Sequence, residues 1–138
     1  MIEFKILDKD LYTLADLLPK TSGSAGIDLK ISRIDCTTDP YACRIHTGIC
    51  VSLENHFQVG LLFARSSCPI TLKNSVGVID SDYQGEIILV CDSVTDIKQG
   101  DRVAQLVIMP CLHPDIEVVN EFSRITARGA CAFGSTGC

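Results

Sequence analysis

The sequence has no excess of basic residues, no CxxC pair, no long apolar run and almost no helical periodicity, and each absence narrows the possibilities. Twelve Lys and Arg stand against seventeen Asp and Glu, a formal net charge of −5. Non-specific nucleic-acid binding runs on clustered cations, so no nucleic-acid partner is expected. A small polyanion, which needs only a few local cations or a metal, remains open. Eight cysteines fall at 36, 43, 50, 68, 91, 111, 131 and 138. Three of them recur every seven residues (Cys36, Cys43, Cys50), but no histidine pair with finger spacing accompanies them, which argues against a zinc site. The first ten residues, MIEFKILDKD, carry acids where a secretory signal needs a basic region followed by an apolar stretch. No run approaches the ~18 apolar residues of a membrane helix, so no membrane partner is expected. Free thiols in a cytoplasmic protein are the simplest expectation, with a nuclear location or a viral or phage origin as the lesser alternatives.

What is present is a chain of 138 residues with 46% apolar content, enough for one domain with a real core. The apolar pattern is short and alternating. It predicts strands over 2–6, 44–53, 57–64, 86–91, 102–109 and 116–122, with the polar gap Glu54-Asn55-His56 as a turn. Only 11–18 (LYTLADLL) has helical spacing, and Pro19 ends it. Many short strands and almost no helix predict an all-β sandwich or barrel. The last eleven residues, RGACAFGSTGC, read as a tail of small and polar types.

Several stretches have the chemistry of a site, each with a plainer alternative. In GVIDSDYQGE (77–86), Asp80 is either a turn carboxylate bonding its own backbone or a general base that orients and deprotonates water beside the apolar Val78 and Ile79. Tyr83 offers a flat face for a sugar ring, or is a half-buried strand tyrosine. Asp82 and Glu86 read as solvated or structural acids. In SGSAGIDL (22–29), Asp28 stands inside an apolar strand, where it is satisfied locally or holds the water shell of a magnesium ion. ARSSCP (64–69) sets Arg65 beside two hydroxyls, a reasonable phosphate grip. Gln105 is an amide in an otherwise apolar strand and needs partners there. RGACAFGSTG (128–137) combines a cation, an aromatic ring, glycines and hydroxyls, which suits wrapping a phosphate chain.

Taken in order, SAGIDL, RSS, NSVGVIDSDYQGEI, GDRVAQL and RG…FGSTG resemble the five motifs of the homotrimeric dUTPases, from about 21 to 137. The resemblance implies a jelly-roll-like β-barrel over 1–127, an arm over 128–138 that closes an active site, and hydrolysis of dUTP to dUMP and pyrophosphate. It implies that Asp80 activates water and that Tyr83 packs on the deoxyribose, leaving no room for a 2′-hydroxyl. Asn74 and the hairpin backbone at Gly77, Val78 and Ile79 would read uracil. Arg65, Ser66, Ser67 and Gln105 would contact phosphates, and Asp28 would touch Mg2+ through water. Arg128 would meet the γ-phosphate, Phe133 would stack on uracil, and Gly134, Ser135 and Thr136 would contact phosphates. The implied assembly is a homotrimer with active sites between subunits.

Three departures from the family pattern stand out. Cys131 and Ala132 replace two tail glycines, which costs about 1–2 kcal/mol at any position requiring φ > 0. Only eight residues separate Arg65 from Asn74, about three fewer than the family's spacing and nearly one helical turn; Pro69 could still start a stub. The sequence stops at Cys138, directly after the last motif. Two rival readings share the fold. A dCTP deaminase would carry a glutamate in the strand after the hairpin, and 87–91 holds no acid. A non-catalytic binding relative would have lost Asp80, Tyr83 or Arg128, and all three are present.

Overall fold

The computed structural model describes residues 1–39, 42–92 and 94–130, the side chains of 38 and 39 aside. Among the described residues, eight strands form two antiparallel four-stranded sheets: β1 (Glu3–Ile6), β2 (Ile27–Lys30), β3 (Arg33–Asp39), β4 (Ala42–Ser52), β5 (Gln58–Ala64), β6 (Gly77–Ile79), β7 (Glu86–Cys91) and β8 (Arg102–Pro110). In the first sheet β4 pairs with β7, and with β3 and then β1 along successive lengths. The second runs β2-β8-β5-β6, which leaves β6 at an edge. This is the jelly-roll-like β architecture expected from the sequence.

Local pattern accounts for the layers. β7 (EIILVC) buries every second residue, as a strand with one face on the core should. β4 is buried almost throughout, which fits a central strand covered on both faces. Leu29, Ile31, Ile45, Ile49, Leu62, Ile87, Val103 and Leu106 close the interior. Tyr12 ties the sheets together: its hydroxyl accepts the Lys30 N–H at 2.8 Å and donates toward the Thr47 carbonyl at 2.9 Å. Burial pushes that phenol up to about 12.

The helix expected over 11–18 shrinks to one 3-10 turn, Leu14–Leu17. Asp16 locks it, accepting from the Thr13 N–H and hydroxyl at 2.9 Å and from Lys30 Nζ at 2.8 Å. The Lys30 ammonium, then the Thr13 donors, hold the Asp16 carboxyl well below the usual carboxylate range. No helical stub starts at Pro69; 65–68 is a turn closed by Cys68 N–H to Arg65 O at 2.9 Å.

Two expectations are corrected. The segment 116–122 forms no strand: residues 111–130 carry none, and Leu112, Ile116, Val118, Phe122 and Ile125 are each at least 84% exposed. Its alternation is that of a strand, but within this chain no ladder receives it. The thiols are not all free either. Cys36 on β3 and Cys43 on β4 come next after the Asp35–Arg44 pair, where the register shifts, and are joined by a disulfide with Cα atoms 4.2 Å apart. Cys50, Cys68, Cys91 and Cys111 are free, while Cys131 and Cys138 lie outside the described residues. Burial pushes the Cys68 and Cys91 thiols up, which keeps them protonated and poorly nucleophilic.

Closing a short loop removes unfolded-state entropy. Replacing both Cys36 and Cys43 by serine is therefore expected to cost about 2 kcal/mol, read from the urea midpoint. Reduction of the natural protein should give the same shift, and none in the double variant. Equal midpoints for oxidised and reduced natural protein would show that the bridge contributes nothing.

Candidate active site

Three neighbouring strands bring the first, second and fourth motifs together. Asp28 on β2 lies opposite Gln105 on β8, which lies opposite Phe63 on β5, two residues before Arg65. The result is a cavity of about 330 Å³ lined by Lys20, Ser24, Ala25, Gly26, Asp28, Arg65, Ser66 and Gln105. Gly26 makes room there: a Cβ would fall 2.7 Å from the Gln105 side-chain oxygen and displace that amide from its present position. The small residues of SAG thus let the amide lie across the cavity wall. Ser67 shares the turn with Ser66 but is not part of the wall.

The electrostatics suit an anion. Asp28 is flanked by Arg65 Nε at 3.3 Å and Arg102 Nε at 3.8 Å, so its charge is matched by two guanidinium groups, and Lys20 stands on the same wall. Lys20 and Arg102 carry no signal in the sequence. Lysine before a glycine-rich loop is unremarkable, and the Arg102 contact comes from the register slip between Leu29 and Lys30 against β8. Among the described residues, no group of three or more His, Cys, Asp or Glu side chains forms a metal cage.

The third motif builds a separate surface. β6 pairs with β5 on one side only, so the outer edge of Gly77, Val78 and Ile79 presents backbone N–H and C=O groups. Asn74 lies exposed in the turn before it. Asp80 follows β6, its carbonyl accepting the Tyr83 N–H at 3.1 Å in a tight turn. The expected apolar walls around Asp80 do not close: Asp80 is exposed and Val78 is 60% exposed. Asp80 instead lines a cavity of about 430 Å³ with His56, Gln58, Val59, Ser81, Asp82, Cys111 and His113. His113 Nε2 donates to the His56 carbonyl at 2.6 Å and fixes the start of the 111–130 segment there. Nothing in the sequence pointed to these two histidines.

Register separates the two halves. Ile79 pairs with Gly60, which sets Asp80 level with Val59, whereas Arg65 lies six residues further along β5, roughly 20 Å away at strand rise. One chain does not bring Asp80 to the cavity of Arg65, Ser66 and Gln105. Arg128 is exposed on the 111–130 segment. Phe133, Gly134, Ser135 and Thr136 lie outside the described residues.

The dUTPase family model matches residues 13–137. A deoxyuridine 5′-triphosphate nucleotidohydrolase of Coxiella burnetii is 38% identical over 151 residues, covering 99% of this chain and 96% of that protein. The fold matches a dUTPase of Staphylococcus bacteriophage 80alpha solved with dUpNHpp, at a TM-score of 0.78 and 23% identity, covering 100% of this chain and 99% of the other. It also matches a variant dUTPase of phage phi11 of S. aureus, studied for the coordination of a structural Mg(II) ion, at a TM-score of 0.71 and 21% identity, over 90% of this chain and 99% of that one. With the motifs, their placement and these relatives in agreement, the chain belongs to the dUTPase family.

Proposed function

We propose that the protein hydrolyses dUTP to dUMP and pyrophosphate at sites made between copies of the chain. The observation that carries this reading is the cavity in which Arg65, Ser66 and Gln105 converge on a patch where cations outnumber Asp28. Forked guanidinium, hydroxyl and amide donors are the chemistry of a polyphosphate grip. Asp80 deprotonates a water whose oxygen attacks the α-phosphorus; the bond from that phosphorus to the α–β bridging oxygen breaks, and pyrophosphate leaves. Fixed donors at the cavity stabilise the charge that develops on the phosphate oxygens.

The open edge of β6 supports the base reading. Uracil presents an N3–H between two carbonyls, which alternating backbone acceptors and donors can match, with Asn74 adding its amide. Cytosine would leave buried groups unpaired, a strong form of discrimination. Tyr83, 44% exposed beside Asp80, supplies the face for the deoxyribose. Arg128, Phe133, Gly134, Ser135 and Thr136 of the arm complete the closed site.

The separation of Asp80 from Arg65 along β5 favours a homotrimer in which one subunit's hairpin meets another's phosphate cavity. The exposed apolar side chains of 111–130 favour an assembly that covers them. Magnesium fits as an ion carried by the triphosphate. Direct ligation would cost Asp28 its two arginines, whereas a hydrated ion leaves them in place and adds neutralisation of phosphate charge.

The test is pyrophosphate release with magnesium, comparing dUTP, dTTP, dCTP and UTP at matched concentration. Rapid release from dUTP alone is expected. Folded, assembled protein that releases none would favour the non-catalytic binding reading.

A further inference from the structure

We propose that His46 and Glu86 are positioning residues for Tyr83, and that this side-chain chain sets how sharply the enzyme distinguishes deoxyribose from ribose. The inference rests on the reading of Tyr83 as the residue that meets the sugar.

Tyr83 is half exposed, so packing alone does not lock its ring. Its hydroxyl instead donates to the backbone carbonyl of Glu86 at 2.7 Å, folding the ring back over Gly85. A Cβ at Gly85 would fall 2.5 Å from that hydroxyl oxygen and 2.7 Å from Cζ, so only glycine admits this pose. The ring is therefore placed by wherever the Glu86 carbonyl sits.

Glu86 is in turn tied into β4 by its own carboxylate. One oxygen accepts the Gly48 N–H at 2.9 Å, and the other accepts from His46 Nδ1 at 2.8 Å. A carboxylate only accepts, so the proton resides on Nδ1. The Arg33 guanidinium, 3.2 Å from the same nitrogen, also only donates; it serves as a neighbouring cation rather than as a hydrogen-bond partner of that nitrogen. The His46 and Glu86 side chains are 10% and 22% exposed, so the tie is largely shielded from water.

Its location gives it leverage. β4 and β7 slip register between His46 and Cys50, so the regular ladder is interrupted just where β7 begins. Side-chain bonds from Glu86 replace the missing rungs at the base of the hairpin. A second link, Gln84 Nε2 to Ser52 Oγ at 3.1 Å, is exposed and contributes less.

The experiment measures kcat/KM for dUTP and for UTP in Glu86→Ala, His46→Leu, Tyr83→Phe and Tyr83→Ala, with Asp16→Asn as a control away from both cavities. The dUTP-to-UTP ratio is expected to fall about tenfold in Glu86→Ala and about threefold in His46→Leu and Tyr83→Phe, because a loosened ring admits the 2′-hydroxyl. Asp16→Asn should lower thermal stability and leave the ratio unchanged. If Tyr83→Ala lowers the ratio while folded Glu86→Ala and His46→Leu keep it, the positioning role is overturned and the reading of Tyr83 stands. An equal fall for both nucleotides in those two variants, with the ratio intact, also overturns it, since that is what a merely structural tie would give. If Tyr83→Ala itself keeps the ratio, the reading of Tyr83 falls and this inference with it. Should Glu86→Ala fail to fold, His46→Leu and Tyr83→Phe decide.

Discussion

Replacing Asp80 by asparagine is expected to leave binding of a non-hydrolysable dUTP analogue within about threefold of the natural protein, while turnover falls at least ~100-fold. The substitution keeps volume and shape but removes the proton acceptor. It should not disturb the hairpin, because the turn is closed by the Asp80 backbone carbonyl and the Tyr83 N–H, which the variant retains. The neighbouring acids are poor substitutes. Glu86 is engaged with Gly48 and His46. Asp82 lines the same cavity as Asp80 and is the neighbour placed to supply residual activity, which Asp82→Asn in the Asp80→Asn background would remove. Binding by calorimetry and single-turnover pyrophosphate release separate the two quantities. Turnover within tenfold of normal would remove Asp80 from the role of base.

The second large effect comes from mixing two dead proteins. Arg65→Ala should lose at least ~100-fold in kcat/KM, since it removes the proposed forked phosphate contact and leaves Asp28 with Arg102 alone. Asp80→Asn is expected to be inactive for a different reason. If each site takes Asp80 from one subunit and Arg65 from another, random co-assembly at equal amounts makes about a quarter of the sites intact by closed threefold symmetry. Co-refolding the two variants is therefore expected to restore about a quarter of normal activity. A site made within one chain would restore none, because every chain would carry one lesion. The measurement tests the roughly 20 Å that strand register places between Asp80 and Arg65.

The sequence exposed the site's parts better than their arrangement. Asp28 and Gln105 were legible as polar residues in apolar strands, Arg65 and Ser66 only through the order of the motifs around them, and the structure gathers all four on one wall. Asp80 and Tyr83 were legible from residue types that a plain hairpin does not need. Their distance from Arg65 was not legible, because it depends on which residue of β5 pairs with Ile79, and register is a non-local property. β3 went unread for a related reason: RIDCTTD has too few apolar residues to alternate, and pairing with β4 defines it as a strand. The opposite error arose at 116–122, where Ile116 and Val118 alternate as a strand should, yet this chain provides no sheet to receive them. The seven-residue spacing of Cys36 and Cys43 was weighed only as a metal pattern. The same spacing fits a short hairpin that brings the two residues together.

On the proposed reading, with the base's level and the phosphate grip at opposite ends of β5, a solitary chain would carry both halves of the chemistry and perform none of it. Catalysis then has a reaction order in the protein itself. Above the dissociation constant of the assembly, output rises in proportion to the number of chains. Below it, output falls as a steep power of concentration, and a newly made chain stays silent until it meets its fellows. If the sites are shared in this way, the geometry of one strand turns protein abundance into a threshold for activity.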